Sequence, residues 1–147
     1  MPKNMMRSSE ATRTTQETQI QIKLDLDGSG SGDISTGIPF FDHMLTLFAV
    51  HGFFNLTVAA NGDLDVDHHH SLEDVGLVLG DVFRQALGER LGIKRYGHAV
   101  TPMDEALTSV SVDLSNRPFL VYNCAGLAGS GVQFDISLAK EFFRAFA

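Results

Sequence analysis

The chain has 147 residues, enough for one domain with a real core, and 44% apolar against 20% charged residues marks it as globular. Eighteen acids against eleven bases leave a net charge of −7, which repels a nucleic-acid backbone on average, and no basic run overrides this. Apolar stretches break well short of the ~18 residues a membrane span needs, the polar N-terminus lacks the apolar region of a secretory signal, and the lone Cys124 excludes an intrachain disulfide, so a cytoplasmic setting is expected.

Residues 1–12 read as a flexible polar tail. "TQIQIKLDLDGSGSGDIST" then alternates apolar and polar residues through Ile20, Ile22, Leu24 and Leu26, the mark of a half-buried strand, and "DGSGSGD" reads as a turn. "PFFDHMLTLFAVHG" carries Phe40, Phe41, Met44, Leu45, Leu47 and Phe48 and predicts a helix ended by Gly52. "FFNLTVAANGDLDV" is strand-like again. "SLEDVGLVLGDVFRQALGERLG" places Leu72, Val75, Leu79, Val82, Phe83 and Leu87 on one helical face and stops at a glycine. "IKRYGHAVTPM" reads as a loop, followed by strands at Ala106 to Leu114 and Pro118 to Asn123. "FDISLAKEFFRAFA" closes the chain with a helical period. The expected class is α+β, with helices on one face of a sheet.

The end of the chain resembles its beginning. "DHMLTLFA" (42–49) and "KEFFRAFA" (140–147) share an apolar pattern that sets His43 against Glu141, and "IQIKLDL" resembles "SVSVDLS". A half-domain repeated at a spacing of roughly 90 to 98 residues explains both. The first unit then covers 13–92 and the second, incomplete one 93–147. About 40 to 50 further residues, with a second His-rich segment, are expected to complete the repeat.

The chemistry concentrates in "DVDHHHSLEDVG" (65–76). On a helix, residues three or four apart share a face, so His69 and His70 can each approach Glu73. Neighbours are turned about 100° apart, so the two histidines are poorly placed for one ion. That geometry suggests two metal centres, or an ion shared with another subunit. Imidazole with carboxylate suits Mn, Fe, Co or Zn, and Asp63, Asp65, Asp67 and Asp74 raise the local affinity for cations. A solvated acidic loop with a chance His run is the plain alternative.

His43 interrupts an apolar helix with a polar pair, although a satisfied core histidine is the commoner fate of such a residue. His51 precedes Gly52 at a helix C-terminus, where a cation is favoured. Arg95 in "GIKRYG" and Arg117 in "SNRPFL" flank strands near turns and offer guanidinium forks for an anion, or are simply exposed. "PMDEAL" puts Asp104 and Glu105 at a strand start. Glu17 stands just before the first strand, where a general base and a surface acid look alike.

Together, "RTTQETQI", "GIPFFDHML", "DVDHHHSLEDVGLVLG", "GIKRYG", "PMDEALTSVSVDLSNRPFL" and "EFFRAFA" resemble the imidazoleglycerol-phosphate dehydratases of histidine biosynthesis. The segments follow the family's order from Arg13 onward, and acid-x-His-His-x-x-Glu (Asp67 to Glu73) is its signature.

The resemblance implies a duplicated α+β half-domain of the ribosomal protein S5 domain 2-like kind, with helices on one face of a mixed sheet. It implies a lyase that dehydrates imidazole glycerol phosphate to imidazole acetol phosphate with two manganese ions per active site. It also implies a homo-oligomer, trimers building 24-subunit shells with metal sites completed between subunits. By resemblance, His43, His69, His70, Glu73 and, more loosely, Glu141 are metal ligands. Carboxylates are expected to move the protons, with Glu17 the catalytic candidate in this sequence, and the resemblance places a further catalytic Glu in the family's C-terminal region. Glu17, His43, His51, His69, Glu73, Arg95 and Arg117 contact substrate, the arginines at its phosphate.

Family members carry a second His-His-x-x-Glu motif that this sequence does not contain up to Ala147. The expectation is therefore an enzyme given in shortened form, with a catalytically incompetent metal-binding fragment as the alternative. An unrelated His-rich metal carrier leaves Arg95, Arg117 and "PMDEAL" unexplained. Without a completed repeat, the apolar faces of Phe142, Phe143 and Phe146 are expected to be exposed and to promote aggregation.

Overall fold

Alternation in "TQIQIKLD" puts Thr18, Ile20, Ile22 and Leu24 on one side of a strand, all buried, and leaves Gln19, Gln21 and Lys23 in solvent. That one-sided burial organises the computed structural model, which describes residues 7–124 and 134–147. The elements run β1 (Ser8–Thr14), β2 (Thr18–Asp25), β3 (Gly32–Ser35), α1 (Pro39–Gly52), β4 (Asn55–Gly62), α2 (His69–Leu87), β5 (Tyr96–Met103), β6 (Ala106–Asp113) and α3 (Leu138–Phe146).

β1 and β4 flank β2 antiparallel and β3 joins β4 in parallel, giving a mixed sheet of order β1-β2-β4-β3. Its apolar face, with Leu56 and Val58 of β4 beside the β2 residues, meets Phe41, Leu45 and Ala49 of α1 and Leu72, Val75, Val78, Leu79, Val82 and Ala86 of α2 in one core. Each fully buried Leu, Ile or Val contributes roughly 1.5–3 kcal/mol. The chain is α+β, with helices on one face of a mixed sheet, as expected. Among the described residues no helix is long and apolar enough to cross a membrane.

Several local expectations are corrected. The polar tail expected over 1–12 is a strand from Ser8 onward, because register with β2 satisfies its backbone and Arg7 pairs with Asp27. Residues 1–6 lie outside the described residues. Part of the glycine-rich turn is the short strand β3. "YGHAVTPM" is not a loop but β5, paired with β6 from Tyr96↔Asp113 to Met103↔Ala106. Asp104 and Glu105 form the turn between these strands rather than a strand start, with Asp104 at φ 50°. Pro118 to Asn123 is not a strand. α1 starts at Pro39, whose fixed φ suits the first helical position, but the left-handed residue that ends it is Phe53 rather than Gly52.

α3 lies against α2 at unusually short range. A Cβ at Gly76 would come within 2.7 Å of the Phe142 carbonyl oxygen, and one at Gly80 within 2.5 Å of that of Phe146. Phe142 meets Phe41 edge-on at 5.3 Å and Phe146 meets Phe83 at 5.6 Å, so both are half-buried. Of the three phenylalanines expected in solvent, only Phe143 is exposed. The β5–β6 hairpin is exposed along its whole length, Val100, Val110 and Val112 included.

Candidate metal and substrate site

The first turn of α2 is where the His tract becomes geometry. Asp67, one residue before the N-cap His68, accepts the backbone N–H of His69 at 2.8 Å, and its negative charge suits a helix N-terminus. The helix starts at His69, earlier than the sequence suggests, and both His69 and His70 are in its opening turn. One turn on, Glu73 brings Oε2 to 3.3 Å from His69 Nε2. His70, rotated away, does not share Glu73. Its Nδ1 instead lies 2.9 Å from Asp63 Oδ2, and the two imidazole rings stand 6.0 Å apart at 79°. The hydrogen bond to Asp63, aided by the charges of Asp63, Asp67 and Glu17, holds the His70 pKa above the ordinary histidine value.

Sheet register delivers Glu17 and Asp63 to this end of the molecule. Thr18, which follows Glu17, pairs with Gly62, which precedes Asp63. The turn carrying Glu17 is fixed by Thr15, whose Oγ1 accepts the N–H of Glu17 at 3.1 Å and of Thr18 at 3.0 Å. Beneath it, Asp74 points inward, not toward solvent cations as its place in the acidic tract suggests. It accepts a hydrogen bond from the buried Thr18 hydroxyl and another from Arg13 Nε at 2.9 Å. This Arg13–Asp74–Thr18 tie is a link sequence reasoning missed, since period alone does not say which acid of an acidic run turns inward.

The other expected residues lie elsewhere. His43 is on the exposed side of α1, not in the core, and His51 is in its last turn as expected. Glu141 opens α3, with Arg144 Nη1 3.5 Å from its carboxylate. Arg95 forks onto Asp113 at 2.6 and 3.1 Å at the foot of the hairpin and stacks its guanidinium 5.0 Å from the Tyr96 ring. Asp113 is thereby held below the usual carboxylate pKa, first by the Arg95 hydrogen bond and further by the charges of Arg95 and Arg117. Among the described residues no hydrogen bond or ion pair joins His43, His51, Glu141, Arg95 or Arg117 to the α2 group. Nor do three His, Cys, Asp or Glu side chains gather around one point among them.

Residues 36–147 match the family model for imidazoleglycerol-phosphate dehydratase. The chain belongs to the imidazoleglycerol-phosphate dehydratase family. It is 61% identical over 143 residues to the imidazoleglycerol-phosphate dehydratase of Desulfosudis oleivorans, covering 97% of this chain and 73% of that one. It is 56% identical over 140 residues to that of Syntrophobacter fumaroxidans, covering 95% and 71%. The fold agrees: the crystal structure of the dehydratase from Staphylococcus aureus superposes with a TM-score of 0.81 at 38% identity, covering 95% of this chain and 76% of that one. Membership places the chain among the lyases of histidine biosynthesis and makes the α2 group and the Arg95–Arg117 region the surfaces on which to seek its site.

Proposed function

We propose that the chain is a manganese-dependent hydro-lyase that converts D-erythro-imidazole glycerol phosphate to imidazole acetol phosphate and water. The observation that carries the metal assignment is the His69–Glu73 pair. Donors bound side by side to one divalent ion at ~2.0–2.2 Å are about 3 Å apart, and Nε2 and Oε2 stand at 3.3 Å. Imidazole and carboxylate without thiolate suit Mn²⁺ or a similar borderline ion. In this reading His69 and Glu73 hold one ion, His70 serves a second, and His43 and Glu141 are donors brought to those ions on assembly.

With no third donor gathered among the described residues, a homo-oligomer in which other copies complete each centre is the arrangement we favour. A cytoplasmic location suits the exposed free thiol of Cys124.

A bound divalent cation supplies Lewis-acid polarisation and a template for the substrate. The protein's own groups do the rest. Glu17, exposed on a turn fixed by Thr15, takes the substrate C2 proton on a carboxylate oxygen. Hydroxide leaves C3 and departs as water with that proton. The resulting enol ketonises by releasing its hydroxyl proton and gaining one at C3. Arg95 and Arg117 receive the phosphate, which must displace Asp113 from Arg95. A dianion offers the guanidinium more charge than a carboxylate and the same bidentate fit.

The test is dehydration of imidazole glycerol phosphate by the purified chain with Mn²⁺, with EDTA, and with Glu17→Gln. We expect metal-dependent turnover, abolished by EDTA, with kcat lowered about 10²–10⁴-fold by Glu17→Gln. Turnover indifferent to EDTA overturns the reading. Tight Mn²⁺ binding without turnover at any metal concentration favours a metal-binding protein that lacks catalysis.

A further inference from the structure

We propose that Asp63 is a positioning residue that locks His70 in the Nδ1–H tautomer, so that Nε2 is presented as the cation ligand. The inference rests on the metal reading above and concerns one atom pair. Asp63 Oδ2 and His70 Nδ1 are 2.9 Å apart. An ionised carboxylate only accepts hydrogen bonds, so Nδ1 donates. A neutral imidazole carries a single N–H, so Nε2 then holds the lone pair. A histidine side chain free in water favours the opposite tautomer, which blocks Nε2 with a proton.

Asp63 is costly to keep for folding alone. Its side chain is only 23% exposed, and Oδ1 is buried with no hydrogen-bond partner among the described residues. Leaving such an atom unpaired costs about 1–3 kcal/mol. The fold holds it there all the same. β4 ends at Gly62, where a Cβ would sit 2.0 Å from Ser71 Oγ, so a larger residue there would require the serine side chain to turn away. The same approach brings the residue after Gly62 beside the residue before Ser71, which are Asp63 and His70. The carboxylate and the ring are thus neighbours across the strand end and the helix start, and they meet through Oδ2 and Nδ1. Partners of this kind, bonded to the far nitrogen of a ligating histidine, orient the ring and raise its basicity toward the metal.

The experiment uses the full chain labelled with ¹⁵N in its histidines. In metal-free protein at alkaline pH, two-bond ¹H–¹⁵N correlations read the His70 tautomer directly, and Mn²⁺ titration reads affinity. We expect Nδ1–H for the native protein. Asp63→Ala should move His70 toward Nε2–H and raise the Mn²⁺ Kd about 10–100-fold, with the remaining amide spectrum unchanged. Asp63→Asn, whose amide oxygen still accepts from Nδ1–H but without the negative charge, should weaken Mn²⁺ binding less than Asp63→Ala. His70→Ala should weaken Mn²⁺ binding at least as much. A native Nε2–H tautomer, or an Asp63→Ala protein with native tautomer and native affinity, overturns the role of Asp63 and leaves the metal reading standing. Native Mn²⁺ affinity in His70→Ala overturns the metal reading at this residue, and the inference with it.

Discussion

His69 Nε2 and Glu73 Oε2 face each other at 3.3 Å across one turn of α2, with the two side chains 40% and 47% exposed. An exposed i,i+4 pair of this kind adds only about 0.3–0.5 kcal/mol to folding. Its value in this account is as a chelating pair. Glu73→Gln is therefore expected to leave the unfolding free energy within about 0.5 kcal/mol of native while weakening Mn²⁺ binding at least tenfold. Denaturant unfolding and isothermal titration of the same samples check both halves.

Asp74 is the opposite case, a carboxylate kept for structure. Only 8% exposed, it holds Thr18 and Arg13 and so ties the Glu17 turn to α2. Asp74→Ala removes the charged acceptor of the buried Thr18 hydroxyl and leaves it only Thr15 Oγ1, 3.2 Å away. The Arg13 side chain is 45% exposed, so its charge stays solvated and most of that ion pair's contribution is discounted. The expected loss is on the order of 2 kcal/mol, seen as a lower urea midpoint, with Mn²⁺ affinity of the folded protein changed far less than by Glu73→Gln.

Close approach of α3 to α2 gives a prediction whose sign is decided by competing terms. Alanine in place of Gly80 gains about 1 kcal/mol of helix propensity. It also drives a Cβ to 2.5 Å from the Phe146 backbone oxygen, which α3 relieves only by moving off. Overpacking against backbone costs about 1–3 kcal/mol, so Gly80→Ala should lower the melting temperature. Gly88→Ala, with open space around it but φ 54°, isolates backbone strain from crowding and should destabilise without detaching α3. Proteolysis near the C-terminus separates the two.

Acid should loosen the foot of the β5–β6 hairpin. The folded-state pKa of Asp113 is depressed, chiefly by its hydrogen bond from Arg95. A depressed carboxylate stabilises the fold above its unfolded pKa, near 3.9, and that contribution is lost as pH falls through the lower folded value. The ¹³C carboxyl signal of Asp113 should titrate below the ordinary Asp range in the native chain and return to it in Arg95→Gln. An unshifted native midpoint contradicts the pairing.

Much of the fold was legible because period and burial agree: Ile20, Ile22 and Leu24 alternate into the core, and Leu72, Val75, Leu79 and Val82 recur at helical spacing. β3 and β5 were hidden for a physical reason. Glycines in "GSGSGD" read as turn, yet β3 is held by parallel pairing to β4, a partner more than twenty residues away. "YGHAVTPM" has a glycine and a proline, and its pairing with β6 rather than burial makes it a strand. At the site, "DHHHSLED" announced the donor types and the His69–Glu73 spacing. It could not announce that His70 turns to Asp63 or that Asp74 turns to Arg13, because those choices are made by the register of β2 against β4 and the packing of α2 on the sheet.

The most direct test of the account is an anomalous difference map from crystals of the chain grown with Mn²⁺ and measured at the manganese absorption edge. The account predicts a peak about 2.0–2.2 Å from both His69 Nε2 and a Glu73 carboxylate oxygen, with those side chains close to their present positions. Manganese bound elsewhere with His69 and Glu73 still paired only to each other, or no peak at saturating metal, would contradict it.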